Sequence, residues 1–141
     1  MARRWTRRDG LKRTKTDAKV QRAKPEDLCE RLRQGAYALA MAENACLFAA
    51  RFAGASGSEG ASFYSDLADS YLDGARDETA PAYAALASMG APGRNQLVRL
   101  LRSQAATYRA ESRQRDAGKA GTLLSVSQHL EVMADGIVIG W

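Results

Sequence analysis

The stretch that decides the fold is Pro25–Gly54, PEDLCERLRQGAYALAMAENACLFAARFAG. Proline opens it and is favoured at the first helical position. Glu26 and Asp27 follow, where the helix dipole favours acids. Gly54, after Arg51, is the expected C-terminal cap. At about 100° per residue, Leu28, Leu32, Leu39, Cys46 and Ala50 share one stripe, and Tyr37, Met41, Phe48 and Phe52 lie almost opposite. A helix that is apolar on two sides belongs at the centre of a helical protein.

Working outward from that helix, the pattern predicts an all-α chain. The segment Gly54–Gly60 has the composition of a flexible loop. A second helix is expected from about Ala61 to Asp77, with Phe63, Tyr64, Leu67, Tyr71 and Ala75 on its apolar side. Pro81 is expected to break or kink the chain, leaving a short helical piece, Ala82–Met89, that ends at Gly90. A third helix is expected over about Gly93–Asp116, with an apolar stripe of Leu97, Leu101, Ala105 and Tyr108. Gly118 and Gly121 mark a break. A fourth helix, Thr122–Asp135, carries Leu123, Val126, Leu130 and Met133 and is expected to be capped by Gly136. The tail Ile137–Trp141 is apolar and β-branched, suited to packing back on the bundle or to pairing with a neighbour. The expectation is a four-helix or irregular bundle over 25–136, flanked by an arm (1–24) and a short apolar tail (137–141).

The arm, MARRWTRRDGLKRTKTDAKVQRAK, carries the strongest functional signal. Arg3, Arg4, Arg7, Arg8, Lys12, Arg13, Lys15, Lys19, Arg22 and Lys24 face only Asp9 and Asp17, a local net of +8. The other 117 residues hold eleven basic against fourteen acidic side chains, a net of −3. Leu11 and Val20 are the arm's only branched aliphatics, Trp5 is its only aromatic, and they show no period, so alone it should not fold. Ten cations in this space can neutralise several phosphates and release their counterions. Trp5 could stack on a base or fill a protein groove. The alternatives are lacing onto an acidic protein surface, a solvated tail, and membrane headgroups.

Two further stripes carry charge. Asp66, Asp69, Asp73 and Asp77 fall within about 80° of arc on the second helix, opposite its apolar side. They read as a solvated face, or as a partner face for Arg and Lys; no second acidic cluster supplies facing ligands for Mg²⁺. Arg99, Arg102, Arg109 and Arg113 form a basic stripe on the third helix. It suits solvent, phosphate, or the Asp stripe, within the chain or, more naturally, of another chain.

Candidate catalytic or metal-binding residues are few. Glu43 is the only formal charge between Arg33 and Arg51. It sits beside the Leu39/Cys46 stripe and calls for a partner or partial exposure. His129 is the only histidine. Position 126 is Val, which breaks the Glu-x-x-His pattern of di-iron bundles, and His129 reads as a surface or core-edge residue. Spacing alone does not exclude a Ser-His-Asp triad, but no Gly-x-Ser-x-Gly elbow, P-loop or Gly-x-Gly-x-x-Gly fingerprint is present. Cys29 and Cys46, on one helix, would stand about 25 Å apart. They cannot pair and read as small buried apolar groups. No uninterrupted apolar run reaches membrane-spanning length. The basic N-terminus lacks the apolar core of a signal peptide, and Asp9 and Asp17 argue against a transit peptide.

The sequence thus predicts a non-enzymatic binding or structural subunit without metal or cofactor. Its arm would contact DNA or RNA by charge, and its body would pack among protein subunits as a homo- or hetero-oligomer, in the cytoplasm or a virion. The alternative is a protein-only scaffold or accessory subunit whose arm laces onto a neighbour's acidic surface.

Overall fold

A computed structural model describes residues 24–55 and 58–140. It contains four helices: α1 Pro25–Ala55, α2 Ser58–Leu86, α3 Ala91–Ser112 and α4 Ala117–Ile139. There is no strand among the described residues. Helix α1 is the hub: it packs extensively against α2 and also touches α3 and α4, while α3 and α4 pair with each other. Helix α2 meets α3 and α4 only marginally. The fold is therefore a hairpin, α3–α4, docked on one side of α1, with α2 lying along another.

The two sides of α1 bury different kinds of residue. Toward α3 and α4, Leu28, Leu32, Ala36 and Ala40 are fully buried against Leu97, Leu101, Val126 and Leu130. These are the stripes expected of α3 and α4, and they form the core. Toward α2, the buried residues are mostly alanines: Ala42 and Ala45 on α1, and Ala68, Ala75, Ala82 and Ala85 on α2. Small side chains let the two backbones approach closely, and Gly35 marks that approach. A Cβ at Gly35 would lie 2.3 Å from Thr79 Cγ2 and 3.6 Å from the Ala75 carbonyl oxygen. The aromatic residues expected on this side are displaced from it. Tyr37, Phe48, Phe52 and Phe63 remain 38–61% exposed. Tyr64 stacks on Phe48 and Phe52, each 5.3 Å away between ring centroids.

Several boundaries depart from the sequence reading. Of the expected Gly54–Gly60 loop, Gly54 and Ala55 belong to α1 and Ser58–Gly60 to α2; positions 56 and 57 lie outside the described residues. Gly60 is instead helical, and its missing side chain admits the Phe52 ring, which a Cβ would meet at 3.0 Å. Pro81 does not break the chain but sits inside α2. A helical proline costs about 3 kcal/mol, yet Ala82, Ala85 and Leu86 beyond it are all buried in the core, and tertiary packing holds the helix through it. The helix ends at Leu86, not Met89, and Arg94 donates to the Met89 and Leu86 carbonyls at 2.7 and 3.5 Å. Helix α4 starts five residues early because the Asp116 side chain caps it, accepting from the Lys119 N–H at 3.1 Å. Gly118 and Gly121 lie within this helix.

Helix α4 also runs on beyond Gly136. Ile137–Ile139, expected as part of a separate tail, complete its last turn, and Gly140 caps it in the left-handed region at φ 87°. Ile137 joins the core. Trp141 lies outside the described residues.

Candidate functional site

Of the arm, only Lys24 falls within the described residues; Arg3, Arg4, Trp5, Arg7, Arg8, Lys12, Arg13, Lys15, Lys19 and Arg22 lie outside them. Lys24 stands exposed at the start of α1, where the Asp27 carboxylate accepts its backbone N–H at 3.3 Å.

Asp66, Asp69, Asp73 and Asp77 are all exposed. Asp73 pairs with Arg76 at 3.2 Å, both side chains more than 70% exposed. An ion pair this open contributes at most about 1 kcal/mol. Helix α2 carries six acidic residues against that one arginine. Arg99, Arg102 and Arg109 on α3 are exposed too, as is Arg113, which caps its C-terminus because the helix ends at Ser112, not at the expected Asp116. Arg102 is engaged within the chain, donating to Glu131 at 2.9 Å and Asp135 at 3.0 Å on α4. The two carboxylates raise its pKa above the usual guanidinium value, Asp135 contributing most. The Asp and Arg stripes do not meet, because α2 and α3 lie on different sides of α1 with only marginal contact.

The fold does bring together residues that the sequence leaves apart. Glu43 on α1 faces Ser125 and His129 on α4. Ser125 Oγ donates to Glu43 Oε1 in a short hydrogen bond, and His129 Nε2 lies 3.2 Å from the same oxygen. One turn along, Asn44 donates to Thr122 Oγ1 at 2.7 Å. The hydroxyl is bonded to a carboxylate and not to the imidazole. The nucleophile–base–orienter order of a serine triad is therefore absent from this cluster. Its chemistry is that of a carboxylate oriented by one hydroxyl donor, Ser125, with an imidazole beside it.

This cluster lies in a trough. Because α2 and α4 both pack on α1 but scarcely on each other, an open groove runs between them with α1 as its floor. One basin, of about 690 Å³, is lined by Leu39, Glu43, Cys46, Leu47, Leu72 and His129 among others. A second, of about 470 Å³, shares Leu39 and His129 and continues past Tyr83, Val132, Met133 and Gly136. Cys46, expected to be buried, is exposed here, whereas Cys29 is buried in the core; both are free thiols. Burial, with the Glu30 charge beside it, pushes the Cys29 thiol up to about 11.

On the other flank of α2, Arg33, Gln34, Tyr37, Met41 and Tyr71 line a cavity of about 490 Å³. Here Arg33 donates to Glu30 at 2.8 Å through Nε and to Tyr108 Oη at 2.9 Å through a terminal nitrogen. The Arg33 bond, seconded by Gln34, holds the Glu30 carboxyl down at about 2. Among the described residues, no group of three or more His, Cys, Asp or Glu side chains is placed to hold a metal ion. None of their helices is long and apolar enough to cross a membrane.

The class defined so far is an all-α bundle with a polar cluster in an apolar trough. No protein-family model, curated protein or solved structure matches the chain.

Of the trough's polar residues, sequence reasoning flags Glu43 and His129 singly and misses Ser125, Asn44 and Thr122. A signal existed: Ser125 and His129 stand four apart on one helical face, the right spacing to share a single carboxylate.

Proposed function

We propose that this chain is a non-enzymatic binding subunit. Its basic arm contacts the phosphate backbone of DNA or RNA without reading bases, and its helical body docks onto protein neighbours. The observation that supports this reading is the segregation of charge. A net of +8 is concentrated in 24 residues, joined to a body of net −3. Phosphate contacts made by charge position a protein on nucleic acid but carry no sequence information. Arg99 and Arg109 on α3 and Arg113 at its C-terminus, all exposed, offer further bidentate donors to phosphate. Arg102 is committed to Glu131 and Asp135 and contributes less. Such a subunit belongs in the cytoplasm or in a virion.

Fluorescence anisotropy with a labelled duplex and a labelled single strand tests it. Affinity should fall steeply with salt, as log K declines by about 0.9 per phosphate contact on duplex for each tenfold rise in salt. Replacing Arg3, Arg4, Arg7 and Arg8 together by Gln should lower that slope by about four. Binding that ignores salt, or is unchanged in the quadruple variant, would refute nucleic-acid contact by the arm.

A second reading has its own support: the exposed carboxylates Asp66, Asp69, Asp73 and Asp77 on α2. On this reading the arm laces onto the acidic face of a neighbouring subunit. It predicts salt-sensitive self-association in nuclease-treated protein, lost when the four aspartates become Asn.

A further inference from the structure

We infer that the trough between α2 and α4 is a docking site for a basic amphipathic helix from another protein. The proposal concerns the body and does not depend on what the arm binds. Three features of the trough define its occupant.

The first is shape. The α4 wall runs from Gly121 to Gly136, sixteen residues, or about 22 Å at the helical rise. That is four turns of helix, laid beside two helices on the floor of a third, too long and open for a compact small molecule. The second is polarity. Leu47, Leu72 and Val132 line it while 64%, 39% and 67% exposed. Apolar walls this open mark an interaction surface. The third is charge. Glu43 stands among these apolar walls with its side chain 57% exposed, Oε1 accepting from Ser125 and lying 3.2 Å from His129 Nε2, and its Oε2 has no hydrogen-bond partner among the described residues. Helical rotation puts Asp69 about 60° from Leu72, on the outer side of that wall. The complement is a helix with aliphatic anchors at i, i+4, i+7 and i+11 and a Lys or Arg among them that reaches Glu43.

The chain itself does not supply that helix. In its arm, Leu11 and Val20 would fall about 180° apart on a helix and Trp5 about 120° from Leu11, so no four-turn stripe forms. The Leu and Val stripes of α1, α3 and α4 named above are spent in the core, α2 buries its alanine side against α1, and the aliphatics that α4 leaves exposed, Leu124, Val132, Val138 and Ile139, are interrupted by Glu131 and Asp135. A second copy therefore offers no free aliphatic face of this length.

The test uses the full chain and a labelled sixteen-residue amphipathic peptide with four leucine anchors and a central lysine. A twin peptide carries Glu in place of that lysine. Anisotropy gives affinity, and Cys46, which lines the trough, reports location through its rate of alkylation. The lysine peptide should bind saturably and slow Cys46 alkylation at least tenfold. The glutamate twin should bind about tenfold more weakly or worse. Glu43→Gln should remove most of that discrimination. Leu72→Ser, a change at a half-exposed surface position, should weaken the lysine peptide with the helical circular dichroism intact. Absence of saturable binding, equal affinity for the two peptides, or unprotected Cys46 would overturn the proposal. So would protection of Cys46 by a peptide of residues 1–24, which would assign the trough to the chain's own arm.

Discussion

Substituting alanine at Gly35 probes the contact that sets where α2 lies, and hence the width of the trough. In the middle of a helix, Gly→Ala alone should stabilise by about 1 kcal/mol, because alanine loses less backbone entropy. At Gly35 the new Cβ would stand 2.3 Å from Thr79 Cγ2. Ordinary contact between carbons needs about 3.5–4.0 Å, so the two groups must part by more than 1 Å. The seam around them is close-packed alanine, and overpacking such a site typically costs about 1–3 kcal/mol. Setting the gain against a mid-range cost gives a net loss of about 1 kcal/mol. For a helical body of this size that lowers Tm by roughly 4 °C.

Urea unfolding followed by circular dichroism measures the loss, and a double-mutant cycle assigns its cause. Thr79→Ala removes the offending methyl. The Gly35→Ala/Thr79→Ala protein should therefore recover about 1–2 kcal/mol relative to the sum of the single changes. Two results would refute the reasoning. One is a Gly35→Ala protein that gains the full helix-propensity increment, which would mean that Thr79 swings aside without cost. The other is strict additivity in the cycle, which would mean that the two residues do not meet.

Two further predictions concern titrating groups. Iodoacetamide at pH 8 should label the exposed Cys46 and spare Cys29, which is 6% exposed with its thiol raised to about 11; mass spectrometry should find one adduct on native protein and two in denaturant. Glu30 is held at about 2 against an ordinary 4.5, so the unfolded chain takes up a proton before the folded one does. The stability that this carboxylate adds is complete above about pH 4.5 and is lost as pH falls toward 2. The side chain is 52% exposed, so solvent screening keeps the effect small, and Glu30→Gln should lower the neutral plateau of the stability curve slightly, flatten its acid limb by the same amount and leave stability near pH 2 unchanged.

How legible the fold was depends on which physical signal each element used. Helices α3 and α4 bury the aliphatic residues that their 3.6-residue period picks out, Leu97, Leu101, Val126 and Leu130, and these could be read directly. The α1–α2 seam was harder, because it is built from alanine and glycine, which carry little hydropathy contrast. Pattern reading gave α2 an aromatic inner face of Phe63 and Tyr71. Close backbone approach buries the expected Ala75 together with Ala68 and Ala82, and leaves Phe63 exposed. Pro81 and Gly118 were read as breaks by local propensity, which burial beyond Pro81 and the Asp116 cap overrode. The Glu43 cluster was half legible. A lone charge in an apolar run announces that a partner is needed, but Ser125 lies 82 residues away, and only the packing of α4 on α1 supplies it.

The same packing bears on how the protein's two sets of contacts could work together. Arg102 shows that α3 and α4 already satisfy one cation of the basic stripe internally. The Asp face of α2 and the remaining arginines of α3 are held on different sides of α1, so they cannot neutralise each other within one chain. A polyanion drawn to the arm and to Arg99, Arg109 and Arg113 would thus be kept from the acidic flank by repulsion. That leaves the α2–α4 trough, with Glu43 at its centre and Asp69 on the outer side of its α2 wall, open to a cationic partner. If the two proposed contacts are both made, the separation of charge and the marginal contact between α2 and α4 would let one small helical body hold an anionic and a cationic partner at once.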